Sequence, residues 1–411
     1  MRQVVAFLLV LLVWLLAGAA TGTQPPFLPT VILVSLDGWR WDYQARYGAP
    51  NLDRLAARGV RAENLIPSFP TKTFPNHYTL VTGLYPGHHG VVSNNMVDRA
   101  TGRRFSLANR REVQDPMWWG GEPIWVRLQN AGRIAAAMFW PGTEAPIQGQ
   151  HPRYWSPYDE RVSAAERVER VLGWLDLPAN ERPTFITLYF EELDLAAHNF
   201  GPDSREAIAA VRRLDGHVGR LVRGLERRRL LDRVNLVVTS DHGLAETSTT
   251  RVVVIDEYIS LDDVEIVDLS PVLGLYPRAG REAAVYAALA RAHPRLKVYR
   301  KAETPERWHY RTHPRIPPIV GVVDEGWQIL PKATLADRIA RGQSGPRGEH
   351  GYDPEAMSMR GIFVAAGPAF KVGVTVPAFE NVHVYHALAA AQGLTPAPND
   401  GDPAIARRLL R

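Results

Sequence analysis

Short uninterrupted apolar runs alternate along the chain with stretches whose apolar residues return every three or four positions. Residues 31–36, 134–140, 184–190, 234–239 and 361–366 form the runs, and each reads as a strand buried on both faces. Helical spacing marks 51–58, closed by Gly59, then 124–131, 163–175, 205–229 and 382–391. In the segment 163–175 one face carries Ala164, Val168, Val171, Leu172 and Leu175. Strands alternating with amphipathic helices predict an α/β fold, with a mainly parallel central sheet and helices on both faces. Beyond Thr247 the pattern changes to short strand candidates at 252–255, 264–267, 297–300 and 319–323, with one helix over 281–293 and many prolines. Residues 247–335 are therefore expected to form an inserted cap subdomain, leaving 27–246 and 336–411 as the core.

Chemistry gathers where the strands stop. Asp37-Gly38 follows the first run, Asp241-His242-Gly243 follows the run 234–239, and the run 184–190 leads into Asp194, with His198 four residues later. The C-terminal ends of parallel strands are where open α/β sheets keep their sites. A spacing of four puts Asp194 and His198 on one face, where they could share a metal or form an ordinary helix ion pair. A carboxylate buried at a strand end is costly unless it meets a cation. With Asp37 and with His350, in a glycine-flanked loop at 345–352, six nitrogen and oxygen ligands are available. Carboxylates and imidazoles without sulfur suit two divalent ions, zinc foremost. Such a pair about 4 Å apart clamps the entering and leaving oxygens of phosphoryl transfer.

Thr73 supplies a hydroxyl. It lies among Pro70, Lys72 and Pro75, just ahead of a helix candidate at 76–83 that ends in Gly83. Alone it reads as an N-cap. A helix N-terminus also favours an anion, so this hydroxyl could meet a phosphate, or become an alkoxide beside a metal ion.

Composition narrows the setting. A net charge of +5, with 45% hydrophobic and 22% charged residues, is ordinary for a globular chain. The arginines are dispersed and no dense basic run occurs, which argues against a nucleic-acid-binding module. The absence of cysteine excludes disulfides, a thiolate nucleophile and a cysteine zinc site. Residues 1–20 read as a signal peptide: Arg2, an apolar run over 4–16, then Ala17-Gly18-Ala19 as a small-x-small cleavage site. Cleavage there predicts an exported protein, periplasmic or secreted, without stable membrane association. An uncleaved anchor is the alternative.

Ordered motifs then accumulate: residues 31–38, Pro70-Thr71-Lys72-Thr73-Phe74-Pro75-Asn76-His77-Tyr78, Thr82-Gly83-Leu84-Tyr85-Pro86, Asn94-Asn95-Met96, Gly121-Glu122-Pro123-Ile124-Trp125, Asp241-His242-Gly243 and His350-Gly351-Tyr352-Asp353. Over nearly all the mature chain the sequence resembles the nucleotide pyrophosphatase/phosphodiesterase family of the alkaline phosphatase superfamily. The resemblance implies an alkaline-phosphatase-like fold and a phosphodiesterase core with two zinc ions and a phospho-threonine intermediate on Thr73. It implies Asp194, His198 and His350 as ligands of one ion, and Asp37, Asp241 and His242 as ligands of the other, which also binds Thr73. Asn94 would donate to a phosphoryl oxygen, and Phe74 and Tyr158 would sandwich a nucleobase. The implied partner is a small phosphodiester, a nucleotide first. A phosphomonoesterase and a choline-headgroup phosphodiesterase are alternatives, the latter through an aromatic site near Trp118, Trp119 and Trp155. A non-catalytic ligand-binding protein is the alternative of another class. The chain departs from the usual motif at Ala197, where glycine is common, and at Leu244, where methionine is frequent.

Overall fold

The computed structural model describes residues 27–411, so the expected signal segment 1–20 lies outside the described residues. Among the described residues no helix is long and apolar enough to cross a membrane.

Seven strands make the central sheet: β1 (Thr30–Leu36), β2 (Val60–Ala62), β3 (Ala135–Met138), β4 (Phe185–Phe190), β5 (Val234–Thr239) and, after an insertion, β10 (Phe363–Ala366) and β11 (Val374–Val376). Their spatial order is β11-β2-β10-β5-β1-β4-β3. Only β10 runs against its neighbours β5 and β2; the remaining pairings are parallel. Strand β1 is buried along its whole length. Its period-two alternation sends Val31 and Leu33 into one apolar layer and Ile32, Val34 and Leu36 into the other. The helices supplying those layers include α1 (Pro50–Ala57), α3 (Ala164–Leu175) and α5 (Arg205–Arg227) on one face, with α2 (Thr73–Thr82) and α6 (Val384–Ala391) on the other. This is an alkaline-phosphatase-like α/β architecture.

The insertion builds its own antiparallel sheet, in the order β6 (Val264–Asp268), β7 (Val272–Pro277), β9 (Ile319–Val323), β8 (Leu296–Arg300). Its two ends are paired, because residues Ala245–Thr247 run antiparallel to Arg347–Glu349, with Glu349 opposite Ala245. Position 335, where the sequence reading ends the insertion, falls within the helix Lys332–Ala340.

Helix α1 begins without a capping side chain of its own, since Ala49 holds the N-cap position. Asp215 of α5, 3% exposed, supplies the missing acceptor. Its carboxylate takes the Leu52 N–H at 2.9 Å, the Asn51 N–H at 3.1 Å and the Asn51 amide at 2.6 Å. Removing a cap acceptor at a buried helix start costs about 2 kcal/mol. Asp215→Ala is therefore expected to lower unfolding stability by roughly that amount in urea denaturation; a midpoint equal to that of the unaltered chain would show that α1 needs no cap from α5.

Candidate functional site

Strands β5, β1 and β4 lie side by side in one direction, so their C-terminal ends open on a single edge of the sheet. Asp37 stands one residue beyond β1, and Asp241 and His242 stand just beyond β5. Asp194 lies in the first turn of α4 (Glu192–Phe200), which starts two residues beyond the end of β4, and His198 follows one turn later. Gly38 allows the chain to turn at this edge: its φ is 71°, and a Cβ would come within 2.7 Å of Leu244. Its N–H donates to Asp241 Oδ1 at 3.2 Å. The ladder closing the insertion carries His350 to the same place. There Gly348 presses so closely on α4 that a Cβ would lie 2.6 Å from the Ala197 carbonyl. Ala197 is itself fully buried in the helix face beneath. Helix α2 begins at Thr73 with its start at the same edge, and Thr73 Oγ1 is 3.2 Å from His242 Nε2.

The structure thus brings all seven expected residues of the cluster together. His242 Nε2 lies 3.0 Å from Asp241 Oδ2 and 3.6 Å from Asp37 Oδ1. Asp194 Oδ1 lies 3.5 Å from His198 Nε2 and 3.9 Å from His350 Nε2. Asp37, Asp194 and His242 also group within ligand reach, so the two sets adjoin.

Two observations test whether cations fit here. First, Asp37 Oδ1, Asp194 Oδ1 and Asp241 Oδ2 are buried without a hydrogen-bond partner. Such groups are costly unless paired with charge. Second, each of the three histidines directs Nδ1 at a backbone carbonyl: His198 at Gly348 (2.9 Å), His350 at Thr71 (2.8 Å) and His242 at Gly243 (3.1 Å). An Nδ1–H donated to a carbonyl leaves Nε2 as a bare lone pair, and all three lone pairs face carboxylate oxygens. That is the tautomer and orientation of a metal-ligating histidine. Burial, with the charges of Asp241 and Asp194, holds the Asp37 carboxyl well above its ordinary value. Burial, with His242 and His198, holds His350 well below. Asp241 goes down despite burial, because His242 and His77 outweigh it. The donor set fits divalent metal.

Beside the cluster opens a cavity of about 250 Å³ lined by Thr73, Phe74, Tyr158, Leu107 and Leu195, among others. Phe74 and Tyr158 thus face one cleft. The Asn94 side-chain oxygen accepts the Phe74 N–H at 3.0 Å, which ties Asn94 to the residue after Thr73 and leaves its NH₂ unused in that bond. The aromatic alternative for choline fares differently. Trp118 and Trp119 are buried at 0% and 3% exposure, and the Arg315 guanidinium already lies 4.7 Å over the Trp118 ring. Trp155 stacks on His151 at 4.2 Å. Trp118 and Trp119 are spent on core packing, where their large area is worth most, while Trp155 is half-buried and committed to His151.

Two supporting residues lie outside the expected ligand set, of which only Tyr189 went unnoticed in the sequence. Tyr189, the penultimate residue of β4, donates its hydroxyl to Asp37 Oδ2 at 2.6 Å. The available signal was a polar-tipped residue near the end of an otherwise apolar strand. His77, one turn after Thr73 on α2, presents the opposite face from the ligand histidines. Its Nδ1 lies 2.9 Å from the Thr73 carbonyl and 3.3 Å from Asp241 Oδ2, while Nε2 meets Ser35 Oγ at 2.8 Å. Nδ1 therefore carries the proton and donates it to the Thr73 carbonyl, which holds the ring beside Asp241 without making it a hydrogen-bond donor to Oδ2.

The fold and the cluster at its edge define an alkaline-phosphatase-like hydrolase. Residues 31–353 match the family model described as type I phosphodiesterase / nucleotide pyrophosphatase. Human ectonucleotide pyrophosphatase/phosphodiesterase family member 5 is 37% identical over 386 residues, covering 94% of this chain and 79% of that protein. The mouse bis(5'-adenosyl)-triphosphatase is 38% identical over 408 residues, covering 98% and 86%. Among solved structures, murine ectonucleotide pyrophosphatase/phosphodiesterase 5, as an inactive threonine-to-alanine variant in complex with AMP, superposes with a TM-score of 0.87 at 38% identity, over 93% of this chain and 100% of that one. The chain belongs to the type I phosphodiesterase / nucleotide pyrophosphatase family, and it is a hydrolase of phosphoric ester or anhydride bonds.

The Tyr189 contact generates a measurable expectation. Loss of a hydrogen bond that orients a ligand carboxylate costs about 10–100-fold in metal affinity. Tyr189→Phe should weaken binding of a divalent metal by about that factor in competition with a chromophoric chelator, with the fold intact. Unchanged affinity would mean that Asp37 is held without it.

Proposed function

We propose that this chain is an exported, metal-dependent nucleotide phosphodiesterase/pyrophosphatase that works through a phospho-threonine at Thr73, with two zinc ions as its cofactor. The observation that carries the reading is the convergence of six carboxylate and imidazole ligands, three carboxylates having an orphaned oxygen, on the hydroxyl that starts α2. Asp194, His198 and His350 would hold one ion and Asp37, Asp241, His242 and Thr73 the other. Bound there, the metal would lower the pKa of the Thr73 hydroxyl and offset the negative charge of the phosphoryl oxygens.

The remaining work falls to the residues. Thr73 Oγ1 attacks phosphorus, the ester or anhydride oxygen leaves opposite it, and a covalent phospho-threonine remains. Water attacking that phosphorus restores the hydroxyl and releases a monoester. The Thr73 N–H, exposed at the helix start, and the Asn94 amide are placed to donate to the non-bridging oxygens as charge builds on them. Nucleotides are the substrate class favoured: Phe74 and Tyr158 face one cleft, and the relatives named above include a bis(5'-adenosyl)-triphosphatase and a protein captured with AMP.

The test compares bis-p-nitrophenyl phosphate with p-nitrophenyl phosphate and a panel of ATP, NAD, dinucleotides and choline phosphodiesters. The diester and the nucleotides should be preferred, and chelation followed by zinc should abolish and then restore turnover. Thr73→Ala should lower kcat by at least about 10³-fold while metal stays bound, as expected when a nucleophile is removed. Monoester preference would move the chain to a phosphomonoesterase, and turnover by the alanine variant would remove the covalent step.

A further inference from the structure

A fourth carboxylate, outside the ligand cluster, is buried between the inserted sheet and the loops that carry Thr73 and Asn94. Asp268 ends β6 and is 6% exposed. Both of its oxygens lie 2.7 Å from Lys72 Nζ, which is buried as well. The Ser93 hydroxyl donates to Oδ2, and the Leu269 N–H donates to Oδ1 at 3.0 Å. Lys72 immediately precedes Thr73 and Ser93 immediately precedes Asn94. One carboxylate of the insertion therefore grips the residue before the proposed nucleophile and the residue before the proposed oxygen-holding amide.

Other residues of the insertion grip the same loop. Arg315 Nη1 donates to the Gly90 carbonyl at 3.0 Å, and the Tyr310 hydroxyl donates to the Val92 carbonyl at 2.9 Å. The stretch 90–93 is thus tied down by the inserted subdomain, and the Phe74 N–H to Asn94 bond closes the circuit back to α2.

We propose that Asp268 is a positioning residue for hydrolysis at Thr73, setting the nucleophile and Asn94 in register with each other. The proposal rests on the function proposed above. Burying a lysine and an aspartate is a poor route to stability, because desolvation offsets their attraction and an apolar pair of similar volume does as well. What the ion pair adds is direction. Lys72 has extended backbone at the N-cap of α2 and no side-chain cap, so a side chain fixed at its tip fixes the entry of the chain into Thr73. A shift of about 1 Å in a reacting group costs on the order of 10²-fold in rate.

The test separates direction from stability. Asp268→Ala alone strands the Lys72 ammonium and is expected to lower Tm as well as kcat. Lys72→Met combined with Asp268→Leu removes both charges, so Tm and bound metal should return to the values of the unaltered chain. Turnover of bis-p-nitrophenyl phosphate should stay about 10–100-fold down in kcat, with KM changed less than about threefold. Recovery of kcat with Tm would overturn the proposal. Ser93→Ala keeps the ion pair and introduces no buried charge; it should lower kcat severalfold at constant Tm, and unaltered kcat would count against Asp268 even if the double variant failed to fold. Hydrogen exchange supplies a readout without turnover: peptides covering 68–78 and 90–97 should exchange faster in the double variant, and those of β1 and β5 should not. An unaltered chain inactive on diesters would overturn the proposed function, and exchange unchanged in those two peptides would then overturn the tether by itself.

Discussion

Three carboxylates, Asp37, Asp194 and Asp241, are crowded together at the edge of a buried sheet, each with an oxygen that no protein donor reaches. Like charges so close, shielded from water, repel one another and lose their hydration, and burial together with its two neighbours pushes Asp37 up accordingly. The surrounding groups relieve this only at Asp241, which stays below its ordinary value beside His242 and His77. Tyr189 and the Gly38 N–H take other oxygens of the same groups, and the histidines turn their protons away toward backbone carbonyls. The fold therefore stores a demand for positive charge at one spot. Neighbouring strands sit about 4.8 Å apart, which puts residues just past β5, β1 and β4 within reach of common ions without long side chains.

The strand ends were legible in the sequence because burial on both faces leaves a continuous apolar signature. For that reason Asp37, Asp241 and the segment leading into Asp194 could be located from pattern alone. Strands β2 and β11 were not: each has three residues, too few for a periodicity. The reversed direction of β10 was equally invisible, since an apolar run carries no arrow. Helix α2 starts at Thr73, and Gly83 closes it with a φ of 67°. The contacts that orient the site were the least legible. Tyr189 meets Asp37, and Asp268 meets Lys72, across more than 150 intervening residues. Periodicity reports which way a side chain faces, not what another segment brings to it.

Recognition and chemistry are built from different material. The clustered carboxylates and imidazoles lie at strand ends and on a helix locked against the sheet, where the backbone has little freedom. Phe74 and Leu195 share that rigid base, but the part of the cleft wall with Tyr158 and Leu107 comes from irregular segments, and Leu107 remains 38% exposed. Change in that wall alters what is received without disturbing the cluster, which is how one fold accommodates several substrates.

The histidines show how little residue type decides by itself. His77, His198, His242 and His350 all lie within a few ångströms of carboxylates, and His77 is as deeply buried as His242. What separates them is where the second ring nitrogen points. In three, a backbone carbonyl takes the Nδ1 proton and leaves Nε2 bare toward the acids. In His77, Ser35 Oγ meets Nε2 and the proton on Nδ1 goes to the Thr73 carbonyl, with Asp241 beside the ring. A cation at Nδ1 of His77 would have to displace that proton and would then face the Thr73 carbonyl as a further neighbour. Hence three of these rings keep a nitrogen free to meet a cation while the fourth is committed on both edges, and the division follows from backbone carbonyls that no motif records.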